Sequence, residues 1–196
     1  MSKRWALRLL LAVMLLAAFS AAVSADEGDG WYDASQEEYF WQDQQEVVFP
    51  DVTPEHWSYD DVMYLYRNGI IGGFPDGTFR PEEKVTTGQA LKMIILAAGY
   101  AEPGTVSSHW ARGYLNFALE AGILERGEIT DLDVSMSRLL TAKVSARALG
   151  VTRQDAQQKF TDTNDDCVQA LSEIGIIGGY PDGTFRPNGS LTRAEL

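Results

Sequence analysis

Ile70-Ile71-Gly72-Gly73-Phe74-Pro75-Asp76-Gly77-Thr78-Phe79-Arg80-Pro81 returns 106 residues later as Ile176-Ile177-Gly178-Gly179-Tyr180-Pro181-Asp182-Gly183-Thr184-Phe185-Arg186-Pro187, with one conservative change in twelve positions. A fixed internal period decides the architecture before any single element does. Halving the offset to 53 predicts a middle copy, and His56-Trp57 matches His109-Trp110 while Gly69-Ile70-Ile71 matches Gly122-Ile123-Leu124. The opening Phe49-Pro50-Asp51-Val52 comes back as Phe160-Thr161-Asp162-Thr163.

Each copy reads as helix, loop, helix. In the first, Val62, Leu65 and Tyr66 follow helical spacing and Gly69 supplies a left-handed stop. Pro75-Asp76-Gly77 is turn chemistry. A second helix is expected from near Thr86, with Leu91, Ile94, Ile95 and Ala98 on one side and Gly99 at its end. The middle copy repeats this with Val144, Ala148 and Gly150. One such hairpin cannot bury its own apolar stripe, so the copies are expected to pack on one another in an all-α fold. The copies are placed at 49–102, 103–157 (diverged) and 158–196. The 106-residue spacing puts the third copy's final stop beyond Leu196, so that copy reads as cut short.

The flanks indicate an exported chain. Lys3, Arg4 and Arg8 precede an apolar run from Leu9 to Phe19, and small residues lead to Ala25. The run is shorter than the roughly 20 residues a membrane span needs, so residues 1–25 read as a secretory signal peptide. Residues 26–48 hold eight acids and no base, with Trp31, Tyr32, Tyr39, Phe40 and Trp41 among them, and read as an acidic linker. The whole chain has 28 acidic against 16 basic residues, a net charge of −12. That balance argues against nucleic acid and against anionic membrane surfaces as partners after signal cleavage. The single Cys167 allows no internal disulfide.

The repeat length, the Phe-x-Asp opening, the His-Trp pair and the Gly-Gly-Phe/Tyr-Pro-Asp-Gly-Thr-Phe-x-Pro loop resemble the S-layer homology (SLH) family. Leu191-Thr192-Arg193-Ala194-Glu195 looks like that family's signature at the start of the second helix. The resemblance implies three repeats in a pseudo-threefold helical bundle that anchors a protein non-covalently to the bacterial wall. The implied ligand is an anionic secondary cell-wall polysaccharide, often pyruvylated, held in grooves between neighbouring repeats. The implied site residues are Arg138, Arg193, Trp110, Trp57, Asp51, Asp162, Gly73 and Gly179, and the implied location is the cell wall and surface. No cofactor and no metal are expected, and surface-layer self-association is a further expected partner mode. Two alternatives stand beside this: a structural, self-assembling component with decayed grooves, or the anchor of an enzyme whose catalytic domain lies beyond residue 196.

The copies depart from the pattern. Arg193 aligns with Arg138 in the second copy but with Thr87 in the first, and the second copy shows Glu125-Arg126-Gly127-Glu128 in place of the Pro-Asp-Gly-Thr-Phe loop. The third copy is about five residues short before its first helix and lacks the Trp. Fewer than three working grooves are therefore expected, and the groove using Arg138, with Trp110 ahead of it, is expected to dominate.

The signature residues have a physical logic. Thr192 with Glu195, and Thr86 with Gln89, are spaced as capping boxes, while Ser137 and Leu140 keep half of one. Arg138 and Arg193 sit where a cation opposes the helix dipole. They are explained either by an anion meeting free backbone N–H groups there or by pairing with a local Asp or Glu. Trp57 and Trp110 read either as core or as platforms for a sugar ring. His56 and His109 lie in equivalent places without a second ligand pattern. Asp162, Asn164, Asp166 and Glu173 fit four positions of a calcium loop, but Cys167 stands where its glycine is needed. No nucleophile with its base and no phosphate loop is present, so no enzyme is expected in this stretch.

Overall fold

The computed structural model describes residues 48–106, 109–155 and 157–196, so the signal peptide and all but the last residue of the acidic linker lie outside the described residues. Five helices follow in order: α1 (Tyr59–Arg67), α2 (Thr87–Ala97), α3 (Arg112–Glu120), α4 (Arg138–Leu149) and α5 (Asp166–Glu173). Among the described residues there is no β-strand, only three isolated bridges. The fold class is all-α, as the periodicity predicts.

Local chemistry sets each start. Thr86 accepts from the Gln89 amide while the Gln89 side chain accepts from the Thr86 amide, a complete capping box at α2. Ser137 caps α4 through the Leu140 amide, and Asp165 caps α5 through the amides of Cys167 and Val168. Thr192 and Glu195 make the same reciprocal pair in the turn that follows Leu191. The first helices of the three copies end at Gly69, Gly122 and Gly175, whose φ values of 69°, 70° and 80° are left-handed.

The bridges organise the chain. Lys84 pairs with Thr192, Thr86 with Ser135, and Ser137 with Ser190, so the segments 84–86, 135–137 and 190–192 each touch both of the others. The residues between them, Val85 and Met136, are fully buried, and Leu191 packs on the same core. Each second helix then packs on the first helix of the following copy, α2 on α3 and α4 on α5, and α2 also meets α4. A smaller cluster of Ala142, Ala146, Phe160, Val168, Leu171 and Phe185 fills the space between α4 and α5.

Two expectations about side chains change. Tyr66 does not share the buried stripe of α1, which consists of Tyr59, Val62 and Met63. Its ring stands edge-on to Phe49 at 5.1 Å and stays 39% exposed. Trp57 and Trp110 are 64% and 50% exposed, which removes the core reading for both. Each stacks on the histidine before it, at 5.7 and 5.9 Å between ring centres. The histidines in turn are fixed by hydrogen bonds near the starts of α1 and α3, His56 through Ser58 and His109 through the Ala111 amide.

Candidate functional site

The Pro-Asp-Gly-Thr-Phe loop is rigid for local reasons. Asp76 Oδ1 accepts from both the amide and the hydroxyl of Thr78, and Arg80 donates to Asp76 Oδ2 at 2.9 Å while lying 3.9 Å over the Phe74 ring. Asp182, Thr184, Arg186 and Tyr180 repeat this in the third copy. Arg80 and Arg186 hold φ values of 59° and 61°, costly for a residue with a Cβ. The carboxylate at the start of the first and of the third copy holds that backbone: Asp51 accepts from Phe79 N (2.8 Å) and Arg80 N (2.6 Å), and Asp162 from Phe185 N and Arg186 N (both 2.8 Å).

Asp76, Asp162 and Asp182 carry a pH dependence. The Thr184 hydroxyl and amide, then Arg186, pull Asp182 from 3.8 to about 2. Asp76 is held lower still, by Thr78 and then Arg80, and Asp162 is lowered by the Phe185 and Arg186 amides. A depressed carboxylate stabilises the fold fully above its ordinary value and loses that contribution as pH falls through the folded value. The urea midpoint is therefore expected to hold steady down to about pH 4 and to fall between about pH 4 and 2. A midpoint that stays flat through that window would show that the loop carboxylates carry no stability.

The two signature arginines reach into the loop of another copy. Arg193 is 6% exposed; its Nε donates to Phe79 O (2.8 Å) and its Nη2 to Gly72 O (3.1 Å). The guanidinium lies 4.6 Å from the Phe79 ring centre and 4.9 Å from that of Phe74. Burial lowers its pKa from the ordinary value. Arg138 does the same to the third copy, with Nε on Phe185 O (2.9 Å) and its guanidinium over Phe185 and Tyr180 at 4.9 and 5.1 Å.

The backbone amides beside them are already occupied. Arg193 N and Ala194 N donate to Glu83 O and Pro81 O, and Arg138 N and Leu139 N to Gly189 O and Pro187 O. An anion meeting free N–H groups there is thus overturned, because neighbouring carbonyls fill those donors. The local Asp/Glu pairing gives way too: the guanidinium contacts are carbonyls and ring faces. In the first copy Thr87 and Gly88 donate their amides to Val134 O and Leu132 O, and the Thr87 hydroxyl donates to Val134 O.

Gly73 and Gly179 shape the loop from inside. A Cβ on Gly73 would stand 2.5 Å from the Phe49 ring and 2.9 Å from Thr78 O; one on Gly179 would run into Phe160 and Thr184 O.

A cavity of about 300 Å³ opens beside this loop, lined by Ile70 to Phe74, by Gln89, Lys92 and Met93, by Trp110 and by Arg193. It joins pieces of all three copies. The expected grouping of Arg138 with Trp110 is corrected here, since Trp110 lines the cavity of Arg193 while Arg138 rests on Tyr180, Phe185 and Gly189. The reason is the cyclic pairing: a signature arginine serves another copy's loop. Asp51 stands behind the loop, both oxygens turned to its amides. Gln89 was read only as a helix-capping partner and Lys92 escaped the sequence reading, although Lys92 is the lone charged residue of α2 and signalled itself in that way.

The second copy's altered loop has its own closure. Arg147 of α4 bonds Glu128 at 2.7 Å and Glu125 at 3.0 Å. Burial pushes the Glu128 carboxyl up, and the Arg147 and Glu125 contacts outweigh it, leaving the pKa lowered. Among the described residues no group of three His, Cys, Asp or Glu side chains could hold a metal, and no helix is long and apolar enough to cross a membrane.

The S-layer homology domain model matches residues 48–91 and 166–196, leaving out the stretch that contains the altered loop. An uncharacterized cell wall amidase of Bacillus anthracis is 31% identical over 171 residues, covering 77% of this chain and 31% of that protein. The cellulosome-anchoring protein of Acetivibrio thermocellus is 27% identical over 177 residues, 90% of this chain and 28% of that protein. An S-layer protein of Bacillus licheniformis is 27% identical over 164 residues, 75% of this chain and 18% of that protein. The chain thus spans less than a third of the length of these relatives. Two matched segments whose second-helix starts pair with each other and with the copy between them place the chain in the S-layer homology family, a family of the bacterial cell wall and surface.

Proposed function

We propose that residues 49–196 form one pseudo-threefold anchoring unit that holds an anionic cell-wall polysaccharide, a pyruvylated one in the finer reading, in the cavity of Arg193 and Trp110. The copies run 49–102, 103–157 and 158–196, behind a signal peptide (1–25) and an acidic linker (26–48). N-terminal sequencing of the exported protein checks the cleavage after Ala25. One observation carries the ligand class. In a chain of net charge −12, the charged residues lining this cavity are Lys92 and Arg193, both cations. Trp110 adds a half-exposed ring face against which the C–H face of a pyranose packs. Arg138, Gly179 and Trp57 are assigned to the equivalent place around the third copy's loop. Asp51 and Asp162 hold the two loops in shape.

This unit acts as an anchor. Matches to an endoglucanase of Bacillus sp. and an amylopullulanase of Thermoanaerobacterium thermosulfurigenes support a second reading in which the anchored cargo is an enzyme. Trp110→Ala is expected to weaken binding to purified wall polysaccharide about tenfold, the effect of losing roughly 1–2 kcal/mol of ring contact. Its melting temperature should change little, because the ring is half exposed. Unchanged affinity would remove Trp110 from the site.

A further inference from the structure

Resting on that reading, we propose that Lys92 is the residue that engages the ligand's negative charge, that Glu102 restrains it, and that Arg193 is a structural latch. The two cations of the cavity differ in what they already hold. Arg193 is buried, spends Nε and Nη2 on the Phe79 and Gly72 carbonyls, and lies against two rings. Moving it onto a ligand would strip the buried Phe79 carbonyl and the part-buried Gly72 carbonyl of this donor, so its charge serves the junction of the third copy with the first. Lys92 projects from the middle of α2 with its side chain 37% exposed. Its ammonium lies 3.5 Å from Glu102 Oε1, a carboxylate 64% exposed, and 6.0 Å from the Tyr114 ring centre. An ion pair this open is worth little and exchanges readily for a better anion.

The surroundings keep this pair in place without consuming it. The Tyr114 hydroxyl donates to Glu102, and that bond, together with Lys92, lowers the Glu102 pKa. Tyr114 stands edge-on to Trp110, 6.4 Å between ring centres, so the sugar platform and the charged pair share one wall. An acidic sugar stacked on Trp110 would bring its carboxylate to Lys92 and displace Glu102. The ligand class is therefore a saccharide bearing a carboxylate or ketal acid, and Lys92 and Glu102 set its affinity in opposite directions.

Equilibrium binding of the full secreted chain to purified secondary wall polysaccharide, native and carboxyl-reduced, tests this. Lys92→Gln is expected to bind the native polymer about tenfold more weakly, with a shallower salt dependence and an unchanged melting temperature. Glu102→Gln keeps an acceptor for Tyr114 while removing the competing charge, and is expected to bind a few-fold more tightly. Both variants should bind the carboxyl-reduced polymer alike. Wild-type affinity in Lys92→Gln, with the wild type binding, overturns the role of Lys92 and leaves the anchoring reading intact. A wild type that binds neither polymer overturns the anchoring reading itself.

Discussion

Arg193→Ala is expected to lower the melting temperature of the exported chain by roughly 6–12 °C, the shift that about 3 kcal/mol produces in a domain of this size. The side chain is 6% exposed and supplies the donors for Phe79 O and Gly72 O, so its removal leaves the buried Phe79 carbonyl without this donor and breaks the part-buried bond to Gly72. It also uncovers the faces of Phe74 and Phe79. Arg193→Lys should recover little, because a single ammonium cannot reach both carbonyls and lie flat against two rings. Differential scanning calorimetry checks this. A loss below about 1 kcal/mol would show that the third copy is held to the first by other contacts.

Gly179→Ala is expected to cost about 3 kcal/mol, combining a left-handed backbone with overpacking. The glycine has φ 71°, and a new Cβ would meet the Phe160 ring and stand 3.0 Å from Thr184 O. Its neighbour Gly178 is the control: nothing lies within 4 Å of its Cβ position and its φ is not left-handed. Gly178→Ala should therefore shift stability by less than about 1 kcal/mol. Chemical denaturation of both variants separates them. Equal midpoints would mean that the loop yields and is less rigid than its hydrogen bonds imply.

The fold was legible because its information is local and repeated. A twelve-residue string repeated with one change, capping spacings at Thr86, Ser137 and Thr192, and glycine stops all act within a few residues of themselves. The site was less legible because it is assembled cyclically. Sequence places Trp110 and Arg138 in one copy, whereas packing gives Trp110 to the cavity of Arg193 and Arg138 to the loop of Phe185. The same cycle joins two departures that looked independent. Thr87, where the first copy lacks its arginine, bonds to Val134, next to the altered loop of the second copy. An arginine there would have no Phe-carbonyl and paired rings to meet, so the missing arginine and the altered loop belong to one junction. The exposure of Trp57 and Trp110 was hidden for a simpler reason. Stacking on a histidine holds an exposed indole, and hydropathy does not register that contact.

Anchoring through an acidic wall polysaccharide is the role proposed for this chain. Its most direct test is retention of the purified exported chain on Gram-positive wall sacculi before and after chemical extraction of their secondary polymer. The account predicts sedimentation with intact sacculi, loss of sedimentation after extraction, and competition by the released polymer. Equal sedimentation with intact and extracted sacculi would contradict it.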